Sequence, residues 1–188
     1  MAENKTTIIA LLRNVLGDTI KNGVDIGSFT TSYVFTLSEP NAQAVSAVSV
    51  NDETSGVTYT YDASLKKVTV TSGLLVDDVV EINYTYYSNY SDNELTGYIK
   101  HALALISVNR YADFEIDITD GDSIYPTPSK AEGNLIATVA AIIINPENKS
   151  YKTPDFAVTI KNPMSTSDMI SKTIGIFKKN SSGIYAII

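Results

Sequence analysis

His101 is the only histidine in the chain, and there is no cysteine. Two-histidine metal motifs and Cys-His dyads are therefore closed to it, and a Ser-His-Asp triad would rest on this one residue. Nothing beside His101 resembles the sharp turn that presents a nucleophile. Its place on the flank of an apolar helical stripe is that of a boundary or hydrogen-bonded histidine. The other group with chemical potential is acidic. Asp113, Glu115, Asp117, Asp120 and Asp122 crowd around Gly121 and offer hard oxygen ligands of the kind calcium takes. The run does not meet the EF-hand spacing, which sets ligands two and four positions after the first acid and glycine at the sixth. It reads as a solvated acidic loop. The 21 acids nominate no pair for glycoside hydrolysis, and "GVDIGSF" has neither the spacing nor the Lys-Ser/Thr of a phosphate loop. No catalytic residue, metal or cofactor is expected.

What remains is contact chemistry. Twelve tyrosines without a tryptophan, amid many Thr, Ser and Asn, supply large rigid area with polar tips. Tyrosine also fills strand positions readily, so most are expected to pack within their own sheet. The formal net charge of -7 argues against a protein that binds nucleic acid by neutralising phosphates. The charge is unevenly spread: six lysines and two acids lie from Lys149 onward, against eight basic and 19 acidic residues before it. A basic end on an acidic body fits a molecule that docks its tail onto an acidic surface, or simply a solvated face.

The elements that would position these groups change texture along the chain. "TTIIALLRNVLGDT" sets Ile8, Ile9, Leu12, Val15 and Leu16 on one helical stripe, with Thr6 or Thr7 as N-cap and Gly17 as stop. This opening reads as a helix, its apolar part being too short for a signal peptide, and the protein is expected to be made and kept in a cytosol. No run approaches the roughly 18 apolar residues of a membrane span. "SYVFTL", "AVSAVSV", "VTYTYD", "KKVTVTS" and "DVVEINYTYY" then read as five antiparallel strands joined by turn-forming segments. After them, Ser91 and Glu94 mark a capping box before a broadly apolar helix expected to be central. Ser129 and Glu132 mark another before "NLIATVAAIIIN", and Ser165 with Asp168 opens a last helix. "YADFEIDITDGDSIYPTPS" reads as a loop, and "FAVTIK" as a short strand. The tail "IYAII" reads either as a final strand or as an apolar peptide offered to a neighbour. The expected fold is α+β: a helical bundle of about four helices, residues 1–22 and 88–188, with a five-strand antiparallel β-module inserted at 23–87.

The stretch "YVFTLSEPNAQAVSAVSVNDETSGVTYTYDASLKKVTVTSGLLVDDVVEINYTYYS" resembles the small β-modules of structural proteins of tailed bacteriophages. The continuation "YSDNELTGYIKHALALISVNRYADFEI" is similar to the first core helix of phage head-to-tail connector (neck adaptor) proteins, and together these cover about residues 30 to 116. The resemblance implies a virion structural protein, made in the bacterial host cytoplasm and housed at the neck. There it would form a homo-oligomeric ring of twelve beneath the portal, extending a channel through which DNA passes without specific binding. It would also present a face to further neck or tail proteins. Such adaptors dock through a C-terminal segment, which points to Lys172, Lys178, Lys179, Ile184, Tyr185, Ile187 and Ile188 as portal-docking residues. The inserted β-module departs from the smallest adaptors. The alternative is a tail-fibre or baseplate adhesin whose Tyr-rich β-module contacts glycans.

Overall fold

The computed structural model describes residues 3–30, 32–148, 150–160 and 164–179, and the backbone of 185–187. In chain order these form α1 (Lys5–Leu16), β1 (Ile20–Ser28), β2 (Val34–Thr36), β3 (Ala42–Val50), β4 (Tyr59–Asp62), β5 (Lys67–Val70) and β6 (Val79–Tyr87). There follow α2 (Asp92–Val108), β7 (Glu115–Ile116), β8 (Ile124–Tyr125), α3 (Lys130–Ile144), β9 (Ser150–Lys152), β10 (Ala157–Thr159), α4 (Thr166–Lys179) and β11 (Tyr185–Ile187). The chain divides into two compact units, Asp18–Ser91 and the pair of segments Met1–Gly17 and Asp92–Ile188.

The helical-bundle expectation is overturned. The described residues are mixed α/β, with four helices and four small sheets, and the helical unit carries two of those sheets itself. Residues read as loop form the β7–β8 hairpin, and β9, β10 and β11 make a three-stranded sheet in which β11 runs parallel to β10. β10 and β11 fall within "FAVTIK" and "IYAII", where a strand was among the expectations, whereas the two-residue strands β7 and β8 are too short to show a period-two pattern and carried no strand signal.

In the helical unit α3, rather than α2, is the centre. Every residue from Gly133 to Ile142 is buried, because α1, α2, α4 and β9 all pack against it. α2 buries only Leu95, Ile99, Ala102, Leu103 and Ile106. Each fully buried Leu or Ile stabilises the unit by about 1.5–3 kcal/mol, so α3 is its main store of apolar burial. Ser129 and Glu132 form the expected capping box at its start, and Asn145 caps its end before Pro146. At α1 the cap lies earlier than expected. Asn4, rather than Thr6 or Thr7, is the N-cap: its side chain accepts from the Thr7 N–H while the Thr7 hydroxyl oxygen accepts from the Asn4 N–H, both at 2.9 Å. Gly17 ends the helix at φ 68° in the left-handed region.

The β-unit holds six antiparallel strands in two three-stranded sheets, β1-β6-β3 and β2-β5-β4, instead of five in one module. One core joins them: Ala42, Val48, Val80, Ile82 and Tyr84 from the first sheet meet Val68 and Val70 from the second, with Phe29, Leu37 and Leu74 between. The unexpected strand is β1. Its Gly23 sits beneath the Tyr84 ring, where a Cβ would lie 2.7 Å from Cε2 and Cζ. Glycine here is a packing requirement of the fold, and it weakened the strand signal locally.

Candidate functional site

The sequence's chemical candidates occupy ordinary structural posts. His101 is an exposed residue of α2 at the rim of a cavity of about 210 Å³, lined also by Leu105, Asn109, Ile143, Thr166, Ile170 and Ser171. Among the described residues no acid, base or nucleophile pair is assembled around it; the cavity's lining is aliphatic side chains, hydroxyls and the Asn109 amide. Among the described residues no three His, Asp or Glu side chains are placed to hold a metal ion.

Asp117, Asp120 and Asp122 of the acidic cluster build the tip of the β7–β8 hairpin, while Asp113 precedes it and Glu115 lies in β7. Asp117 Oδ1 accepts from the Thr119 N–H at 2.6 Å, and Asp120 Oδ1 accepts from the N–H groups of Asp122 and Ser123 at 2.8 and 2.9 Å. The Ser123 hydroxyl donates to the other Asp120 oxygen at 2.6 Å. That hydroxyl first, and then the backbone donors, hold the Asp120 carboxyl below the usual carboxylate range. Asp122 reaches furthest. Its carboxylate accepts from Asn4 Nδ2 at 2.5 Å, from the Thr6 N–H at 2.9 Å and from the Thr6 hydroxyl at 2.7 Å, while its carbonyl accepts from the Lys5 N–H at 2.9 Å. It thus places a negative charge at the amino end of α1, where the helix dipole favours one. The carboxylates of Asp117, Asp120 and Asp122 are engaged in local structure.

The C-terminal candidates are only partly described. Lys172, Lys178 and Lys179 are exposed on α4, and the Lys178 ammonium donates to the Asn109 carbonyl at 2.5 Å, where the C-terminal end of α2 passes. Tyr185 and Ile187 lie in β11, opposite Ala157 and Thr159 of β10. The backbone therefore makes this stretch the last strand of its sheet. Ile184 and Ile188 lie outside the described residues. The chain links α4 to an edge strand, so basic side chains and a sheet edge follow one another in sequence.

In the β-unit the tyrosines mostly pack inward. Tyr84 is buried, and Tyr59, Tyr61 and Tyr86 lie against the core. Burial raises the phenols of Tyr61 and Tyr84 above their ordinary range. A tyrosine platform for glycans is not what these four build. Two other features of the unit went unread. One is a polar cavity of about 460 Å³ lined by Asn51, Glu53, Ser55, Ser72, Gly73 and Asp78. Beside it Asn51, Asp52 and Asp77 all take positive φ, at 48°, 67° and 73°. Such strain in non-glycine residues persists only where surrounding bonds over-determine it. Here Asn51 Nδ2 donates to Asp78 Oδ1 at 2.7 Å, and Asn51 Oδ1 accepts from the Val79 N–H at 2.9 Å. The other feature is the outer row of β1, where Ile20, Val24 and Ile26 are 54%, 52% and 68% exposed. Asn22 and Gly23 interrupt their period of two, so the row gave no strand signal.

A scan against protein-family models and a search of the curated proteins return no match for this chain. No helix among the described residues is long and apolar enough to cross a membrane.

Proposed function

We propose that this chain is a non-enzymatic structural subunit of a tailed-bacteriophage virion, acting at the neck as a head-to-tail adaptor. In this reading it assembles into a ring, twelvefold by analogy with such adaptors, between the portal and further neck or tail proteins. DNA passes through the ring without specific binding; the protein is made in the bacterial host cytoplasm and resides in the virion. The support is the resemblance of the β-unit's sequence to β-modules of tailed-phage structural proteins and of the α2 sequence to the first core helix of neck adaptors, and it no longer leans on a helical bundle. The observation that carries it is the polarity of the helical unit: exposed Lys172, Lys178 and Lys179 on α4 are followed by β11 at the edge of its sheet, on a chain of net charge -7. A basic helix beside an open strand edge combines charge steering with backbone pairing, two recurrent means of docking onto another protein.

Mass photometry of the purified protein, alone and mixed with the portal of the same virus, tests this. A ring or a portal complex near twelve copies is expected, lost on deletion of residues 184–188 and unaffected by His101→Ala. A stable trimer that ignores portal would refute it.

The polar cavity of the β-unit, with its strained Asn51 and Asp77, favours a second reading: a tail-fibre or baseplate adhesin that takes a sugar there through the Asn51, Glu53 and Ser72 side chains. Glycan-array binding that is abolished by Glu53→Ala would move the assignment to this reading.

A further inference from the structure

Strand β1 presents an open hydrogen-bonding edge. Along β6 the Tyr87 N–H donates to the Asn41 carbonyl, and the Val79 carbonyl accepts from the Asn51 N–H, so odd-numbered β6 residues face β3. The Asp78 carbonyl accepts from the Phe29 N–H, so even-numbered ones face β1. Because Gly23 lies opposite Tyr84 and Asp25 opposite Ile82, the odd-numbered residues of β1 spend their backbone groups on β6. The N–H and C=O groups of Ile20, Asn22, Val24, Ile26 and Ser28 therefore point away from the sheet, and among the described residues no backbone group pairs with them.

Proteins ordinarily blunt such edges with short strands, bulges or inward charges. The β-unit's other edges are blunted: β2 and β4 are three and four residues long, and β3 carries two register shifts. The Ala42 carbonyl of β3 is also capped by the Tyr61 hydroxyl and the Lys66 ammonium. β1 instead runs nine residues in unbroken register, with its solvent face bearing Ile20, Val24 and Ile26.

We infer that β1 pairs antiparallel with β1 of a second copy about a two-fold axis at Gly23, joining the two β1-β6-β3 sheets into one of six strands. The sequence is self-complementary in this register. Ile20 faces Ile26 of the second copy, Asn22 faces Val24, and these are the residues whose backbone groups point outward. Between them, on the opposite face, Lys21 falls across from Asp25, and Gly23 meets its own equivalent. The Asp25 carboxylate is already held in place by the Ser38 N–H and hydroxyl, at 2.7 and 2.6 Å, so the arriving ammonium meets a fixed anion. An opposite-charge cross-strand pair, made twice by the symmetry, selects this register over one centred on Val24, which would set Lys21 against Gly27. The contact is isologous and closes at two copies, so it is independent of any ring, which needs a different, heterologous contact. One nine-residue edge buries less than the about 1,600 Å² of a standard interface, so a micromolar dimer is expected.

Sedimentation of the full chain across the micromolar range, with paired variants, tests this. The wild type is expected to sediment as a reversible dimer, and Lys21→Glu, which sets carboxylate against carboxylate, to become monomeric. Val24→Pro removes an outward N–H that β6 does not use, and is expected to be monomeric with an unchanged circular dichroism spectrum. Because the chain has no cysteine, the double variant Asn22→Cys with Val24→Cys is expected to give a disulfide-linked dimer on mild oxidation. The pair Asn22→Cys with Ile26→Cys, which reports the Val24-centred register, is expected not to. A monomeric wild type overturns the inference. So does a dimer that survives both Lys21→Glu and Val24→Pro while they stay folded. A ring in which the 22/24 cysteine pair fails to cross-link also overturns it, and leaves the neck reading standing.

Discussion

Asp122→Ala should loosen the start of α1, although the two residues it serves, Asn4 and Thr6, lie 118 and 116 positions away. The substitution removes three hydrogen bonds to a carboxylate and one negative charge from the amino end of the helix. The bond from the Thr6 N–H acts as a cap, worth about 1 kcal/mol. The charge adds about 0.3–1 kcal/mol against the helix dipole. The Asn4 amide and Thr6 hydroxyl can turn to water and cost little. The sum is about 1.3–2 kcal/mol, of which the charge-dependent part is screened by salt. Asp122→Asn keeps one acceptor and loses the charge, so about a quarter to a half of the effect is expected. Because the chain has two units, a single unfolding transition is not assured. Hydrogen exchange of the α1 amides is therefore the direct readout, with urea unfolding at low and high salt beside it. Asp113→Ala is the control: Asp113 accepts from the Ser107 hydroxyl at 2.8 Å on an exposed face, and its removal should stay within about 0.5 kcal/mol. If Asp122→Ala also falls within that band and leaves α1 exchange unchanged, the reasoning is wrong. If calcium stabilises the wild type and not Asp122→Ala, the cluster is an ion site instead.

Gly23→Ala would push a methyl group to 2.7 Å from the Tyr84 ring, which is 2% exposed and anchored by its hydroxyl to Ser38 and Asp25. We expect the β-unit to lose about 1–3 kcal/mol, and a melting temperature equal to or above wild type would contradict the close packing. Val139→Asp places a carboxylate at a fully buried position of α3, at a cost of several kcal/mol, so near-UV circular dichroism of the helical unit should collapse; a native spectrum would show that α3 is not its core. Tyr111 donates to Glu132 Oε1 at 3.0 Å, and burial first, then that hydrogen bond, pushes its phenol up to about 12. A phenol raised from 10.0 in the unfolded chain to about 12 in the folded one leaves stability intact below pH 10 and removes it as pH rises from 10 toward 12, since the unfolded state ionises first. Tyr111→Phe should therefore flatten the alkaline loss of stability, and identical alkaline slopes for the two proteins would refute this.

The sequence by itself determined what is local and periodic. The stripe of Leu95, Ile99, Ala102, Leu103 and Ile106, the Ser129 and Glu132 capping box, the stop at Gly17 and the alternation of Val80, Ile82 and Tyr84 each report on neighbours within a turn or a pleat, so pattern alone locates them. The absence of cysteine and the lone His101 bounded the chemistry in the same way. Only the tertiary structure decided the rest, because the causes lie far apart in the chain. Gly23 is required by a ring contributed by Tyr84, Asp122 works on the start of α1, and α3 is central because three other helices and β9 cover it. The short strands β7, β8 and β9 draw their existence from partners rather than from propensity, which is why the hairpin was invisible, the other small sheet was legible only at β10 and β11, and a bundle was expected in their place.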